Sequence, residues 1–285
     1  MQLADFITYS IFAGTTIAFL AIIWSYAKGL RQSPRDMWLM FIYNIIEYTA
    51  YMAMNIAVTL WLTADCGVGD LAAGNYIMLW SILLSIIGMI TGAVVDTIGI
   101  RKTLMISIIF LLISRFFMSF ITDPYIIFVL GFIPMAIGFA IVGPLISVAI
   151  KRFTTKDTVA MGFGLFYVLM NLGYALGGLM FDGVRDVFSL RDSAGKIINE
   201  NAGIDILGLH FSTYQMFFVI GFLFTIVSMI VAFFIRGNIE LNDDGKLTEV
   251  AKKELGSGFK AVRNSAIDVW NMISKVVVEK MFWVY

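Results

Sequence analysis

The chain has 285 residues, of which 60% are hydrophobic and 14% are charged, and its 20 Lys and Arg residues balance its 20 Asp and Glu residues. A soluble domain of this length would need an implausibly large core, so the composition indicates a polytopic membrane protein. Zero net charge gives no reason to expect a nucleic-acid partner. One cysteine excludes an intrachain disulfide, one histidine excludes a His-rich metal site, and no motif in the sequence predicts a metal or a cofactor.

Seven apolar runs are each long enough to cross a hydrocarbon core of ~30 Å as helices. They cover residues 6–27, 37–62, 75–96, 102–121, 125–150, 159–181 and 213–235. The first run lacks the basic start of a secretory signal peptide and is predicted to be retained. The predicted fold is therefore all-α, with an extra N-terminal transmembrane helix in 1–35 and a six-helix bundle in 36–236.

Basic residues follow every second run, which predicts the orientation of the chain. They are Lys28, Arg31 and Arg35, then Arg101 and Lys102, then Lys151, Arg152 and Lys156, and finally Arg236. Two of the alternate connections contain almost no bases, and the one at 182–212 is mixed. Because basic loops stay in the cytoplasm, the N-terminus is predicted outside and the tail from residue 237 inside.

The tail, 237–285, is predicted to be a cytoplasmic linker with an amphipathic helix. The apolar residues that recur at helical spacing are Phe259, Val262, Ala266, Ile267, Trp270, Ile273 and Val277. Such a stripe fits either a helix at the membrane interface or one packed on the ends of the bundle. The last residues turn apolar again, as at the start of a further span.

Two charged residues lie deep inside predicted spans. Glu47 is about 15 Å into the second run and Arg115 about 20 Å into the fourth, by the helical rise per residue. A charge at such depth is costly unless it faces protein or water, and the similar depths allow a salt bridge. Polar residues at helical spacing extend the stripe around Glu47, and they are Asn44, Tyr48, Tyr51 and Asn55. The stripe predicts either a polar cavity or hydrogen bonds between helices.

The sequence between the third and fourth runs contains Gly92, Asp96, Gly99, Arg101 and Lys102. This spacing resembles the signature of the major facilitator superfamily between its second and third helices. The resemblance implies that the six runs from residue 36 form one half of a transporter, with solute bound between two halves that rock to alternate access. It also implies a second six-helix half in the same or another chain. The signature would act as a gating hinge, in which Asp96 and Arg101 steady the outward-open state.

Two further stretches resemble the proton-coupled oligopeptide transporters. Tyr167 and Asn171 occur in an aromatic pattern before Asn-Leu-Gly, as in the fifth helix of that group, although the amide also suits close packing beside glycines. Glu47 and Tyr51 match that group's first-helix pattern, whereas Asn44 and Tyr48 stand where it has a glutamate and an arginine. This resemblance implies a peptide-like solute and protons as the coupling ion.

No nucleophile elbow, phosphate loop or metal-ligand cluster is found, so no enzyme activity is predicted. The leading hypothesis is a secondary active transporter half that lies in a lipid bilayer and moves a small solute. The alternative is a non-transporting membrane subunit or scaffold built on half of a transporter fold. An intramembrane acid, a polar stripe and the hinge signature together favour transport, because a scaffold needs none of them.

Overall fold

A computed structural model of the protein describes residues 3–237 and 239–249, together with the helical positions Arg263, Ile267, Trp270, Asn271, Ser274 and Lys275. The side chains of residues 3–12, 90, 92–94, 96 and 97 are not among those described. The helices are α1 (Leu3–Gly29), α2 (Arg35–Ala64), α3 (Asp70–Ile98), α4 (Ile100–Phe120), α5 (Pro124–Phe153), α6 (Val159–Phe188) and α7 (Thr213–Phe233). Each overlaps one of the seven predicted runs.

The predicted six-helix membrane bundle is confirmed, because α2 to α7 each contain a segment long and apolar enough to cross a bilayer. Helix α2 packs against α6 and α7, α4 packs against α5 and α7, and α3 packs against α5. The extra helix α1 lies against α6, where Gly29 faces Met161 and Gly164 faces the ring of Tyr26.

Close approach of α6 to α2 depends on glycine. A Cβ atom at Gly177 would lie 2.7 Å from the Thr49 carbonyl oxygen and 2.6 Å from Met52 Cβ. The neighbouring Gly178 points away, and no described atom lies within 4 Å of the position of its Cβ. Small residues let membrane helices pack backbone to backbone, so the Gly-rich stretch of α6 sets its distance from α2.

Two irregular sites shape the bundle. Gly99 alone separates α3 from α4, and its φ of 90° is a conformation that residues with a Cβ atom rarely adopt. Within α5, residues Phe128–Phe132 form a π-helical turn. Pro134 cannot donate a backbone hydrogen bond to the preceding turn, so a widened turn before it is a physically reasonable response.

In the part of the chain that the structure describes, three two-stranded antiparallel hairpins accompany the helices, and the all-α prediction did not include them. β1 (Leu190–Arg191) pairs with β2 (Ile197–Asn199), and β3 (Ile204–Ile206) pairs with β4 (Leu209–Phe211), both between α6 and α7. β5 (Ile239–Leu241) pairs with β6 (Leu247–Glu249) after α7, on the side of the bundle where Gly99 lies. Strands of two or three residues are too short to produce a hydropathy signal.

Helix α2 is tied to α7 at both ends. At the Gly99 side, the buried Asp36 carboxylate accepts hydrogen bonds from the backbone and guanidinium of Arg236, with Nη2 2.7 Å from Oδ2. At the opposite side, the Asp65 carboxylate accepts hydrogen bonds of 2.7 Å from Ser212 Oγ and from Asn201 Nδ2. Both ties close the bundle between its first and last helices.

The tail is described only in part. Most positions of the predicted amphipathic stripe, which are Phe259, Val262, Ala266, Ile273 and Val277, lie outside the described residues. Ile267 and Trp270 are helical and exposed.

Candidate functional site

Glu47 and Arg115 form an ion pair in the interior of the bundle. Arg115 Nη1 lies 2.9 Å from Glu47 Oε2, and both side chains are 0% exposed. Glu47 lies in the middle of α2 and Arg115 lies in α4. The sequence predicted similar depths for the two charges, and in the fold they are in contact. A buried ion pair needs further hydrogen bonds to offset its desolvation, so its other partners matter.

Helix α7 supplies such hydrogen-bond partners to Arg115, and the described residues supply none to Glu47. Arg115 Nη1 donates to the Gly221 carbonyl oxygen at 3.1 Å and to the hydroxyl of Thr225, which in turn donates to the same carbonyl. The contact with Glu47 is a charge contact outside hydrogen-bond geometry. Among the described residues, both carboxylate oxygens of Glu47 and the Nε and Nη2 atoms of Arg115 have no hydrogen-bond partner. The charge contact between Glu47 and Arg115 thus links α2 to α4, and the hydrogen bonds of Arg115 link α4 to α7.

Asn44 lies one helical turn before Glu47 and is also buried. Its Nδ2 atom donates to the Phe166 carbonyl oxygen of α6 at 3.4 Å, and its Oδ1 atom has no partner among the described residues. Of the two alternatives for the polar stripe, Asn44 fits the hydrogen bond between helices. The stripe is thus divided, because its first two residues, Asn44 and Glu47, point into the bundle.

The next two residues of the stripe, Tyr48 and Tyr51, belong to a group of aromatic rings. We call this group the aromatic cluster: Tyr48, Tyr51, Phe166, Tyr167 and Tyr174. The Tyr48 ring lies 5.4 Å from Tyr174, 6.4 Å from Tyr51 and 6.5 Å from Phe166, centroid to centroid. Tyr167 contacts Phe166 at 5.2 Å and is 57% exposed. The cluster therefore extends from the interior to the surface of α2 and α6.

Phe139 of α5 connects the ion pair with the aromatic cluster. Its ring lies 5.7 Å from Arg115 Cζ, within cation–π range, and 4.5 Å from the ring of Tyr51. Two steps of direct contact thus lead from the buried charge to Tyr51.

A pocket lies beside Tyr51, between α2, α3, α5 and α7. Its lining is Tyr51, Met54, Asn55, Val58, Trp80, Phe132, Met135, Phe139 and Phe218. Asn55, the last residue of the predicted stripe, is exposed at this pocket. The indole nitrogen of Trp80 is buried and has no acceptor among the described residues. Apart from the polar groups of Tyr51, Asn55 and Trp80 the lining is apolar, and the cavity of about 10 Å³ has room for little more than one water molecule.

Asn171, predicted together with Tyr167, is exposed on α6. Its Nδ2 atom donates to the Tyr167 carbonyl oxygen at 2.7 Å, within the same helix. Its side chain therefore satisfies a local backbone group, while Gly173 and Gly177 provide the close packing.

In the segment predicted to be a hinge, Gly99 is the one residue between helices α3 and α4. Gly92 and Asp96 are in the last turns of α3, and their side-chain positions are outside the described set, so the predicted contact of Asp96 with Arg101 is not described. Arg101 and Lys102 are exposed in the first turn of α4. Arg101 Nη2 donates to the Phe233 carbonyl oxygen at 3.2 Å, so this cation caps the end of α7.

Gly221 and Thr225 were not predicted as partners of Arg115, and neither was the pair of Asp36 and Arg236. Thr225 is one of few polar residues in an otherwise apolar run, which is a usable signal. No signal in the sequence points to a backbone carbonyl such as that of Gly221. Among the described residues, no three or more His, Cys, Asp or Glu side chains cluster as a metal site would require.

Comparisons with known proteins agree with this architecture. The model of the Major Facilitator Superfamily matches residues 40–284. A crystal structure of a peptide transporter POT, an E310Q mutant in complex with sulfate, superimposes with a TM-score of 0.60 over 86% of this chain at 15% identity. The chain covers 46% of that transporter, and at this identity the likeness concerns the fold. No curated protein matches the sequence.

The predicted resemblance to a six-helix half of such a transporter is confirmed. With six candidate spans, the chain is an integral, multi-pass membrane protein, and its family consists of transporters rather than enzymes. The chain belongs to the Major Facilitator Superfamily.

Proposed function

We propose that residues 36–236 form the N-terminal half of a secondary active transporter that moves a small solute by alternating access, with Glu47 as the proton-binding residue. The observation that carries this proposal is the contact chain from Glu47 through Arg115 and Phe139 to Tyr51. It joins a buried titratable group to an aromatic surface that a solute could touch. A proton on Glu47 and a solute at Tyr51 would then affect the same helix, α2.

The partners of Arg115 support a role for protonation. An ionised carboxylate in a low-dielectric interior is stable only beside a cation, so proton uptake by Glu47 weakens its link to Arg115. Arg115 would keep the Gly221 carbonyl and the Thr225 hydroxyl, which compensate in part for the lost counterion. Protonation would thus release α2 from α4 while α4 stays bound to α7.

The aromatic cluster and the exposed Asn55 support a small solute with apolar and hydrogen-bonding groups. Tyrosine hydroxyls, the Asn55 amide and exposed ring faces suit amide and side-chain groups of a peptide-like molecule. The POT structure belongs to a peptide transporter, and we extend the solute class to this chain as part of the proposal.

Alternating access requires a second six-helix half, which we propose packs against the face that carries the aromatic cluster. We further propose that the N-terminus lies outside and that 237–285 link the halves in the cytoplasm.

The hinge segment between α3 and α4 would bias the equilibrium between the outward-open and inward-open states, so Asp96→Asn should keep expression and thermal stability while lowering turnover. Unchanged transport by that variant would leave the segment as a simple turn.

The decisive experiment compares proton-driven accumulation with solute counterflow after reconstitution of the full-length transporter. Glu47→Gln should abolish accumulation but keep exchange, because exchange needs no net proton movement. Glu47→Asp, which retains an ionisable group, is the matched control and should restore part of the accumulation. If Glu47→Gln accumulates solute at the normal rate, the proton-binding role is wrong.

The second candidate function, a non-transporting scaffold, is favoured by the complete burial of both Glu47 and Arg115. A purely structural pair would serve folding alone. It predicts that a variant lacking both charges folds normally and that no solute is bound by the wild-type protein.

A further inference from the structure

The turns of the three hairpins differ in polarity. The β1–β2 turn runs from Asp192 to Gly195 and the β5–β6 turn from Asn242 to Gly245, and each is closed by a backbone hydrogen bond between its end residues. Both turns contain polar residues suited to water. The β3–β4 turn consists of Leu207 and Gly208, and Leu207 is 99% exposed. An apolar tip thus stands out among three otherwise similar turns.

The strands of this hairpin have one apolar and one polar face. The register pairs Ile204 with Phe211 and Ile206 with Leu209, so these four side chains share a face. The opposite face carries Asp205 paired with His210, whose Nδ1 lies 2.8 Å from the Asp205 carboxylate. Apart from Phe211, the apolar face is exposed, with Leu209 at 55%. A hairpin surrounded by water on both sides gains nothing from this division.

The backbone at the tip is also unfavourable for its residue. Leu207 has a φ of 52°, the left-handed region that Gly, Asn and Asp adopt most readily. A leucine in this conformation costs conformational energy, and because its side chain is exposed, no burial within the hairpin offsets that cost. Residues held in such a conformation cluster at functional positions, where the surrounding structure fixes them.

The position of the hairpin indicates the contact partner. The base residue Phe211 packs against Phe120 at the end of α4, with ring centroids 5.5 Å apart. Phe120 is half exposed and contacts Phe116, which belongs to the apolar outer surface of α4. The apolar face of the hairpin is therefore continuous with the exposed apolar surface of α4, and the hairpin lies between the end of α6 and the start of α7.

We propose that the β3–β4 hairpin is an interfacial anchor whose Leu207 tip and apolar face enter the lipid leaflet on the side opposite Gly99. The Asp205–His210 face would lie toward water. The ligand is phospholipid at the boundary of headgroups and acyl chains, where amphipathic elements bury one face. This role is independent of which solute is transported and of whether Glu47 binds a proton.

Site-directed spin labelling can test the position of the tip. Leu207→Cys and, separately, Ser193→Cys on the neighbouring β1–β2 turn would be made in the full-length protein carrying Cys66→Ala. Each is labelled with a nitroxide and reconstituted into phosphatidylcholine vesicles. Collision with molecular oxygen, which partitions into lipid, is compared with collision with a water-soluble nickel chelate.

We expect oxygen to relax the label at position 207 several-fold more effectively than nickel, and the reverse ratio at position 193. Preferential collision with nickel at position 207 would show a tip in water and overturn the proposal. Low collision with both reagents would show a tip buried against protein, such as a second half, and would also overturn it. Both labelled positions are on exposed turns, so retained thermal stability is expected and is checked on the same samples.

Discussion

Removing one charge of the Glu47–Arg115 pair should destabilise the bundle strongly, and removing both should not. Breaking a fully buried ion pair typically costs about 3–5 kcal/mol, because the remaining charge has no counterion. Glu47→Leu should be the more damaging single change, since a guanidinium cannot lose its proton. Its remaining partners, the Gly221 carbonyl and Thr225, compensate only in part.

Arg115→Leu should cost less, because the Glu47 carboxyl can take up a proton and become neutral. The double variant replaces the buried ion pair with apolar groups of similar size, and it should lie within about 1 kcal/mol of the wild type. The coupling energy of this double-mutant cycle is then about 3 kcal/mol or more. That is well above the deviations from additivity that distant sites show.

Thermal unfolding of the four proteins in one detergent would measure this cycle. At roughly 2–4 °C per kcal/mol for a chain of comparable size, a loss of about 3–5 kcal/mol should make the worse single variant melt about 6–20 °C below the wild type. Additive losses in the double variant would refute the reasoning, since they would mean that the two charges do not depend on each other. A loss below about 1 kcal/mol in both single variants would equally contradict a dry interior.

Three further outcomes follow from single contacts. Gly177→Ala should lower stability by about 1–3 kcal/mol because its Cβ would overlap the backbone of α2, whereas Gly178→Ala, which meets open space, should be neutral or mildly stabilising in the same melts. Asp36→Asn should loosen the junction of α2 and α7 and speed hydrogen exchange at the end of α7, because Arg236, which follows α7, loses its anionic partner. Lys156 holds the pKa of Asp243 below its usual range, so the ion pair contributes at neutral pH and is lost as pH falls. Hydrogen exchange in β5–β6 should therefore increase below about pH 4, and Lys156→Met should remove that pH dependence.

The spans and the buried charges could be predicted because each depends on a property of one helix at a time. Length and hydropathy define a transmembrane helix, and the rise per residue gives the depth of Glu47 and Arg115. Depth, however, says nothing about how α7 is rotated about its axis. The contact of Arg115 with Thr225 and Gly221 depends on that rotation, which packing between helices determines.

Residues at the helix ends were harder to interpret. Asp36 lies in a segment that the charge pattern marks as a basic cytoplasmic loop, and the sequence pattern treats it as one more loop charge. In the fold it is 1% exposed and is bound by Arg236, which follows the last helix of the bundle and lies at the same side. The closing of a bundle by its first and last helices is a property of the whole topology. The polar stripe divides for a similar reason, because Asn44 and Asn55 differ in burial only after α6 has packed against α2.

The packing of α2 suggests where movement within this half would be concentrated. On one side α2 meets α6 through Gly177 at backbone distance, so these two helices have little room to shift against each other. On the other side it is held in mid-span by the charge contact of Glu47 with Arg115, which protonation would weaken. We therefore expect α2 and α6 to move together, carrying the aromatic cluster, while Arg115 stays with α7. A solute at Tyr51 would thus act on the same joint as a proton on Glu47.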